Sequence, residues 1–278
     1  MALSAKELYQ AGNLADAIAA MNDEVRKNPV DQGRRGFLAE LLCFSGNLER
    51  ADKLLDVIST QNPDVAVGVA MIRQLVRADQ ARRELFSAGR VPEFLEQPSD
   101  ALSKHLEAVT LLREGDAAGA AKILEDAEAA RASLSGTCNG KSFDDFRDLD
   151  DVTASFFEVL TSTGKYFWVE MARVREMEFH APERPIDLIW RRASVDVIDG
   201  PDGDVFIPAI YLPPSDALDA GYGTAEQVID DQVLLGRSSD WVGGEGSPAR
   251  GLGQRCFLIG DDVVPVMQLE SLQFNPAG

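Results

Sequence analysis

Over roughly the first 130 residues, apolar side chains recur every third or fourth position between short polar turns, the pattern of amphipathic helices packed in pairs. The turn Gly12-Asn13-Leu14-Ala15-Asp16-Ala17 returns 34 residues later as Gly46-Asn47-Leu48-Glu49-Arg50-Ala51 and again as Gly115-Asp116-Ala117-Ala118-Gly119-Ala120. Asn28-Pro29 and Asn62-Pro63 repeat at the same distance and place a helix stop at matching points of two successive units. Ala5, Ala39 and Ala108 fall where a unit's first helix has to approach its second closely, with Ala17, Ala51 and Ala120 opposite. Met21, Leu55 and Leu124, four residues further on, are placed to fill the space between units. The third turn lies about two periods after the second, so residues 66–98 are expected to hold another helical pair in degenerate form. There Val65–Phe86 reads as one long helix, and Gly89, Pro92 and Pro98 as the break after it.

From Gly136 the period is lost and short β-branched or aromatic runs take over, which sets a boundary near Ser135–Lys141. Residues 142–163 are read as a linking helix, because Phe143, Phe146, Leu149, Val152, Phe156, Val159 and Leu160 can share one stripe. Strands are predicted over Tyr166–Val169, Val174–Phe179, Ala193–Ile198 and Val205–Leu212, with a hairpin through residues 199–204 and a short helix at Pro185–Trp190. Cys256–Ile259 and Val263–Leu269 read as a second hairpin about Gly260-Asp261-Asp262. The predicted class is α+β: a helical repeat domain over 1–135, then an acidic, mostly antiparallel β-rich domain over 136–278.

Charge changes the picture more than composition does. Of the 278 residues 46 are acidic and 27 basic, a net −19, and the excess is lopsided: residues 1–135 carry 21 acids and 16 bases, the remainder 25 and 11. Such a surface repels polyanions, so nucleic acid and anionic membrane are set aside as partners. Cys43, Cys138 and Cys256 lie far apart and form no disulfide framework, which fits a reducing compartment. The first residues lack a basic segment followed by an apolar run, and a cytoplasmic location is expected.

Chemistry-bearing patterns are sparse. Asp144, Asp145, Asp148, Asp150 and Asp151 form the densest carboxylate cluster, but their spacing matches no calcium loop, and on a helix they make a solvated face. His105 and His180, the two histidines, have no ligand-spaced Cys or His beside them, so no metal site is assigned. The stretch from Gly243 to Gly253 carries neither dinucleotide- nor nucleotide-binding glycine spacing and reads as a long loop. No catalytic residue and no cofactor is assigned. The competing readings are an enzyme of unknown reaction, with a site near Asp148, Asp150, Arg237 and Arg255, and a regulatory scaffold of another kind.

The 34-residue spacing and its internal layout resemble the tetratricopeptide repeat. Stacked units of that kind bind peptides or helices on the face lined by their first helices. On this alignment that face collects Lys6 and Tyr9, then Gly36, Glu40 and Cys43, then His105 and Val109, of which Lys6, Tyr9, Glu40 and His105 are the candidate protein-binding residues. Taken with the C-terminal segments Phe146–Asp151, Gly164–Val169, Asp187–Ala193, Val205–Tyr211, Leu235–Trp241 and Gly251–Arg255, the chain resembles the ImpE family, also called SciE or TagJ. The resemblance implies a non-enzymatic adaptor of bacterial type VI secretion. Its implied partners are the sheath subunit TssB, engaged through a helix near that subunit's N-terminus, and the recycling machinery around the ClpV ATPase. Helix-in-groove docking or strand addition are the two modes open to it.

Overall fold

The computed structural model describes residues 3–213, 223–224 and 227–275. Seven helices come first: α1 (Ala5–Ala11), α2 (Leu14–Lys27), α3 (Gln32–Phe44), α4 (Leu48–Gln61), α5 (Ala66–Ala88), α6 (Asp100–Arg113) and α7 (Ala117–Ala130). Their ends follow from local chemistry. Ser4 accepts the Glu7 backbone N–H while the Glu7 carboxylate returns to the Ser4 N–H, and Asp31, Asn47, Ser99 and Asp116 each accept an N–H from the first turn they precede. Gly12, Gly46 and Gly115, the turn glycines of the repeat, all take left-handed φ values between 74° and 85°. The six alanines expected at the helix crossings are 0–1% exposed, and Met21, Leu55 and Leu124 no more than 5%.

Residues 66–98 depart from expectation. They hold α5 alone, a single helix of 23 residues that Gly89 stops in a left-handed conformation. Instead of forming a second helix, the segment after Gly89 runs extended along a strand: the Glu93 N–H donates to the Tyr166 carbonyl at 2.9 Å, and its carbonyl accepts from the Trp168 N–H at 3.0 Å. Pro92 and Pro98 disfavour helix here, and the sheet edge supplies the hydrogen bonds a helix would have given.

The second half is built on an eight-stranded antiparallel sheet of order β2-β1-β15-β6-β7-β8-β4-β5. Its strands are β1 (Gly136–Cys138), β2 (Lys141–Phe143), β4 (Phe156–Leu160), β5 (Tyr166–Glu170), β6 (Val174–Phe179), β7 (Trp190–Val197), β8 (Asp202–Pro208) and β15 (Ser271–Phe274). A smaller sheet joins β3 (Phe146–Asp148), β13 (Cys256–Ile259) and β14 (Asp262–Pro265), and a hairpin joins β11 (Ser239–Gly244) to β12 (Ser247–Gly253). The short pair β9 (Gly223–Thr224) and β10 (Gln227–Val228) and a one-turn helix α8 (Asp231–Leu234) are the remaining strands and α-helix among the described residues.

Two sequence readings are corrected here. Residues 142–163 are not a linking helix but β2, β3, a tight turn over Asp151–Thr153, and β4. The apolar residues that suggested one stripe serve two faces. In β4, Phe156 and Leu160 point into the core shared with the helices, whereas Phe157 and Val159 point into the core under the small sheet. The glycine-rich stretch 243–253 is not a loop but the end of β11, a tight turn at Glu245-Gly246 and β12, with Gly243, Gly244 and Gly246 at positive φ. The other differences are of extent: β8 ends at Pro208, after which Ile210 bridges Gln254, and the short helix at 185–190 is a single turn over Pro185–Leu188.

One apolar cluster runs without interruption from Ala5, Leu38 and Leu75 of the helices to Phe156, Trp168 and Trp190 of the sheet. Within it lies a buried charge network. The Arg82 guanidinium of α5 donates to both oxygens of Glu158 on β4 at 2.9 and 2.8 Å, and Arg255 bridges Glu158 to Asp148, the latter at 2.6 Å. Burial alone would raise Glu158, but the two guanidinium charges hold it down to about 2. Asp148 goes the other way: its burial outweighs the pull of Arg255 and pushes it to about 6.

Candidate functional site

An open groove of about 560 Å³ lies between α3, α4 and α5. Gly33, Gly36, Ala39, Glu40 and Cys43 line one side, spaced along one face of α3; Val65 just before α5 and Gly68, Val69 and Ile72 from its start line the other, with Leu55 and Ile58 of α4 between them. The helices start side by side, where the Asn62 side-chain amide donates to Gln32 Oε1 at 2.8 Å. The far end is closed by Ile186 and Arg184 from the β-rich half, and Arg184 Nη2 donates to Glu40 Oε1 at 2.5 Å. Burial raises the pKa of Glu40, and the bond to Arg184 opposes that rise.

The groove is chiefly apolar, and the surface continues apolar beside it: Val67 and Met71 of α5 are 85% and 41% exposed. No charged side chain occurs between Asp64 and Arg73. It is an apolar cleft with one ion pair, Arg184–Glu40, at its end.

The sequence-predicted residues fare differently. Glu40 sits in the groove, with Gly36 and Cys43 beside it. Tyr9 packs on Phe37 and Phe44, and Arg237 covers its ring at 5.0 Å while donating to the Tyr9 and Gln10 carbonyls at 2.7 and 3.0 Å. Lys6 is exposed on α1 and does not line the groove. His105 is 2% exposed: its Nε2 meets Ser155 Oγ at 2.8 Å and its ring faces Phe156, so it is a core residue, and burial pushes its pKa down to about 4. Val109 is likewise core.

Sequence reasoning missed the α5 wall and the 184–186 end. The first had a signal, since Val65, Gly68, Val69 and Ile72 fall at helical i, i+3, i+4, i+7 spacing inside an uncharged run. The second had none, because Arg184 reaches Glu40 across 144 residues of sequence.

The carboxylate cluster is also corrected. Asp148 and Asp150 are not a solvated face: they are 0% and 1% exposed. Arg250 Nε and the Val152 and Gly251 backbone N–H groups hold Asp150, while Arg255 holds Asp148. Arg237 stands apart from them against Tyr9. Among the described residues no group of three His, Cys, Asp or Glu is placed to hold a metal ion, and no helix is long and apolar enough to cross a membrane.

Fold and groove together define a class in which stacked helices present an open apolar cleft and an antiparallel β-rich half closes one end of it. Two known proteins match along almost the whole chain. The crystal structure of protein VPA1032 from Vibrio parahaemolyticus superposes with a TM-score of 0.87 at 25% identity, covering 98% of this chain and 97% of that one. The type VI secretion system accessory component TagJ of Pseudomonas aeruginosa is 29% identical over 99% of this chain and 92% of its own length. The family described as ImpE protein matches residues 140–273, so the β-rich half is similar to that family.

Proposed function

We propose that this protein is an accessory component of type VI secretion. It acts as a cytoplasmic, non-catalytic adaptor that takes a helix of the TssB-type sheath subunit in the α3–α4–α5 groove and presents the subunit to a ClpV-type recycling ATPase. The groove itself is the observation that carries the reading, because it offers apolar walls and no cluster of reactive groups. Likeness to TagJ supports the secretion context. The buried state of Asp148 and Asp150 weighs against the enzyme reading, since both carboxylates are committed to arginines within the core.

Pull-down of a TssB-type subunit from the same organism tests the proposal. Capture at micromolar concentration, lost on substituting groove residues such as Ile72→Asp, is the expected result. No capture at that concentration overturns the sheath-binding reading.

A further inference from the structure

The β11–β12 hairpin pairs with no other strand among the described residues, and its two outer edges differ. Along β12, the Ala249 and Gly251 N–H groups donate to Asp151 and Asp150 at 2.8 and 3.0 Å, and the Gly253 carbonyl accepts from the Tyr211 N–H at 2.8 Å. These alternate residues therefore turn backbone groups away from β11. In an antiparallel ladder, opposed residues either exchange bonds or both point their groups outward. Ser239 and Trp241, opposite Gly253 and Gly251, accordingly turn theirs away from β12. The Trp241 N–H agrees: it donates at 2.8 Å to the carboxylate of the adjacent Asp240, not across the hairpin.

An open edge invites a further strand, and three other outer strands are guarded against one. The segment around Glu93 covers β5, Lys141 stands on β2, and β14 ends at Pro265. Among the described residues β11 has no cover, and it carries neither lysine nor proline; its bulge at Gly243 limits the open run to residues 239–242. The surroundings are acidic. No Lys or Arg occurs between Arg237 and Arg250, and those two are engaged elsewhere, Arg237 on Tyr9 and Arg250 with Asp150 and over the Phe86 ring. Asp240 and Glu245 are exposed.

We infer that β11 is a docking edge, apart from the groove, for an extended segment of a partner protein in which lysine or arginine alternates with β-branched residues. The segment adds to β11 as a third strand. Its backbone bonds the outward groups of Ser239 and Trp241, its β-branched side chains pack beside Trp241, which is 40% exposed, and its cations fall on the opposite face with Asp240. The carboxylate that holds the Trp241 N–H in the free protein is thereby released to meet a cation. A second copy of this chain is a poor occupant, because it would bring another Asp240 and Glu245, and a net charge of −19, to the same edge.

The experiment uses the full chain and two short synthetic peptides, one alternating lysine with valine and one alternating glutamate with valine. Trp168 and Trp190 are each 1% exposed, so acrylamide quenching reads Trp241. The lysine–valine peptide should bind at about 1 mM or below and reduce that quenching, and the glutamate–valine peptide should do neither. Asp240→Lys and Glu245→Lys alter exposed side chains, so Tm should hold. Each should weaken the lysine–valine peptide, roughly tenfold for Asp240→Lys, and the double variant should accept the glutamate–valine peptide instead. Absence of binding at about 1 mM, binding that leaves Trp241 quenching unchanged, equal binding of both peptides, or unchanged affinity in the lysine variants overturns the inference. So does a concentration-dependent dimer in sedimentation that Trp241→Lys abolishes, which would give the edge to a second copy. None of these outcomes bears on the groove, which the pull-down tests separately.

Discussion

Two neighbouring stretches of the helical stack, equivalent in the repeat, have opposite fates. Along α1 the face is covered by the chain itself: Arg237 lies on Tyr9, Asp231 accepts the Ala15 N–H, and Gln232 donates to the Gly12 carbonyl. Between α3 and α5 the corresponding face is open. The glycines record the difference. A Cβ on Gly12 would fall 1.7 Å from Gln232 Nε2, whereas one on Gly36 or Gly68 would meet nothing. The same residue type answers to this chain's own packing in one stretch and faces open space in the next.

The comparison can be broken at several points. The largest effect is expected from Arg82→Met, which leaves Glu158 buried with one partner fewer and loosens α5, the wall of the open groove, from the sheet. Chemical denaturation should show a loss of about 3–5 kcal/mol, the cost of removing one side of a buried ion pair. A loss below 1 kcal/mol would mean that Arg255 alone holds the carboxylate.

Next comes pH. His105, on the covered side of the stack, has a folded pKa near 4 against 6.5 for the free side chain. The unfolded chain therefore takes up a proton first as pH falls. The stability conferred by the neutral ring is whole above about 6.5 and drains away toward pH 4, by about 3 kcal/mol at most. His105→Gln should flatten that part of the stability–pH curve, measured by urea unfolding at stepped pH. Asp148, raised to about 6, runs oppositely over part of the same window and sets the residual slope.

Gly12→Ala should cost about 1–3 kcal/mol, from a strained left-handed alanine and displacement of Gln232. Gly36→Ala in the same thermal assay should gain about 0.5–1 kcal/mol. Equal signs would erase the distinction drawn between the covered and open stretches. The smallest effect belongs to Arg237→Ala, which removes a cation over an aromatic ring and two hydrogen bonds, about 1 kcal/mol in all. Hydrogen exchange should quicken in α1 and leave α5 unchanged.

Much of this was legible in the sequence, and the failures have physical causes. The 34-residue spacing gave the turn glycines, the crossing alanines and the α+β division, because each rests on local backbone geometry. Residues 142–163 misled because strand pairs separated by tight turns can place apolar side chains at intervals of three and four, and only the two cores show that Phe156 and Phe157 face opposite ways. Asp148 and Asp150 looked solvated because Arg250 and Arg255, their partners, lie about a hundred residues downstream. The predicted binding set placed Glu40 in the groove and mistook His105 for surface, since nothing in the repeat announces that the β-rich half packs over α6.

The strand-like contact of Glu93 with β5 has a consequence for anyone dividing this protein. The segment that shields the sheet's outer edge is supplied by the helical half, and Phe94 from the same segment stands edge-on to Trp168. A fragment cut near residue 135 would bare a strand edge, the apolar face around Phe156 and Trp168, and the carboxylate of Glu158 stripped of Arg82. Exposed strand edges of this kind recruit other chains. The two halves thus share one buried apolar cluster, and fragments of either are expected to aggregate, so binding should be mapped by point substitution in the intact chain.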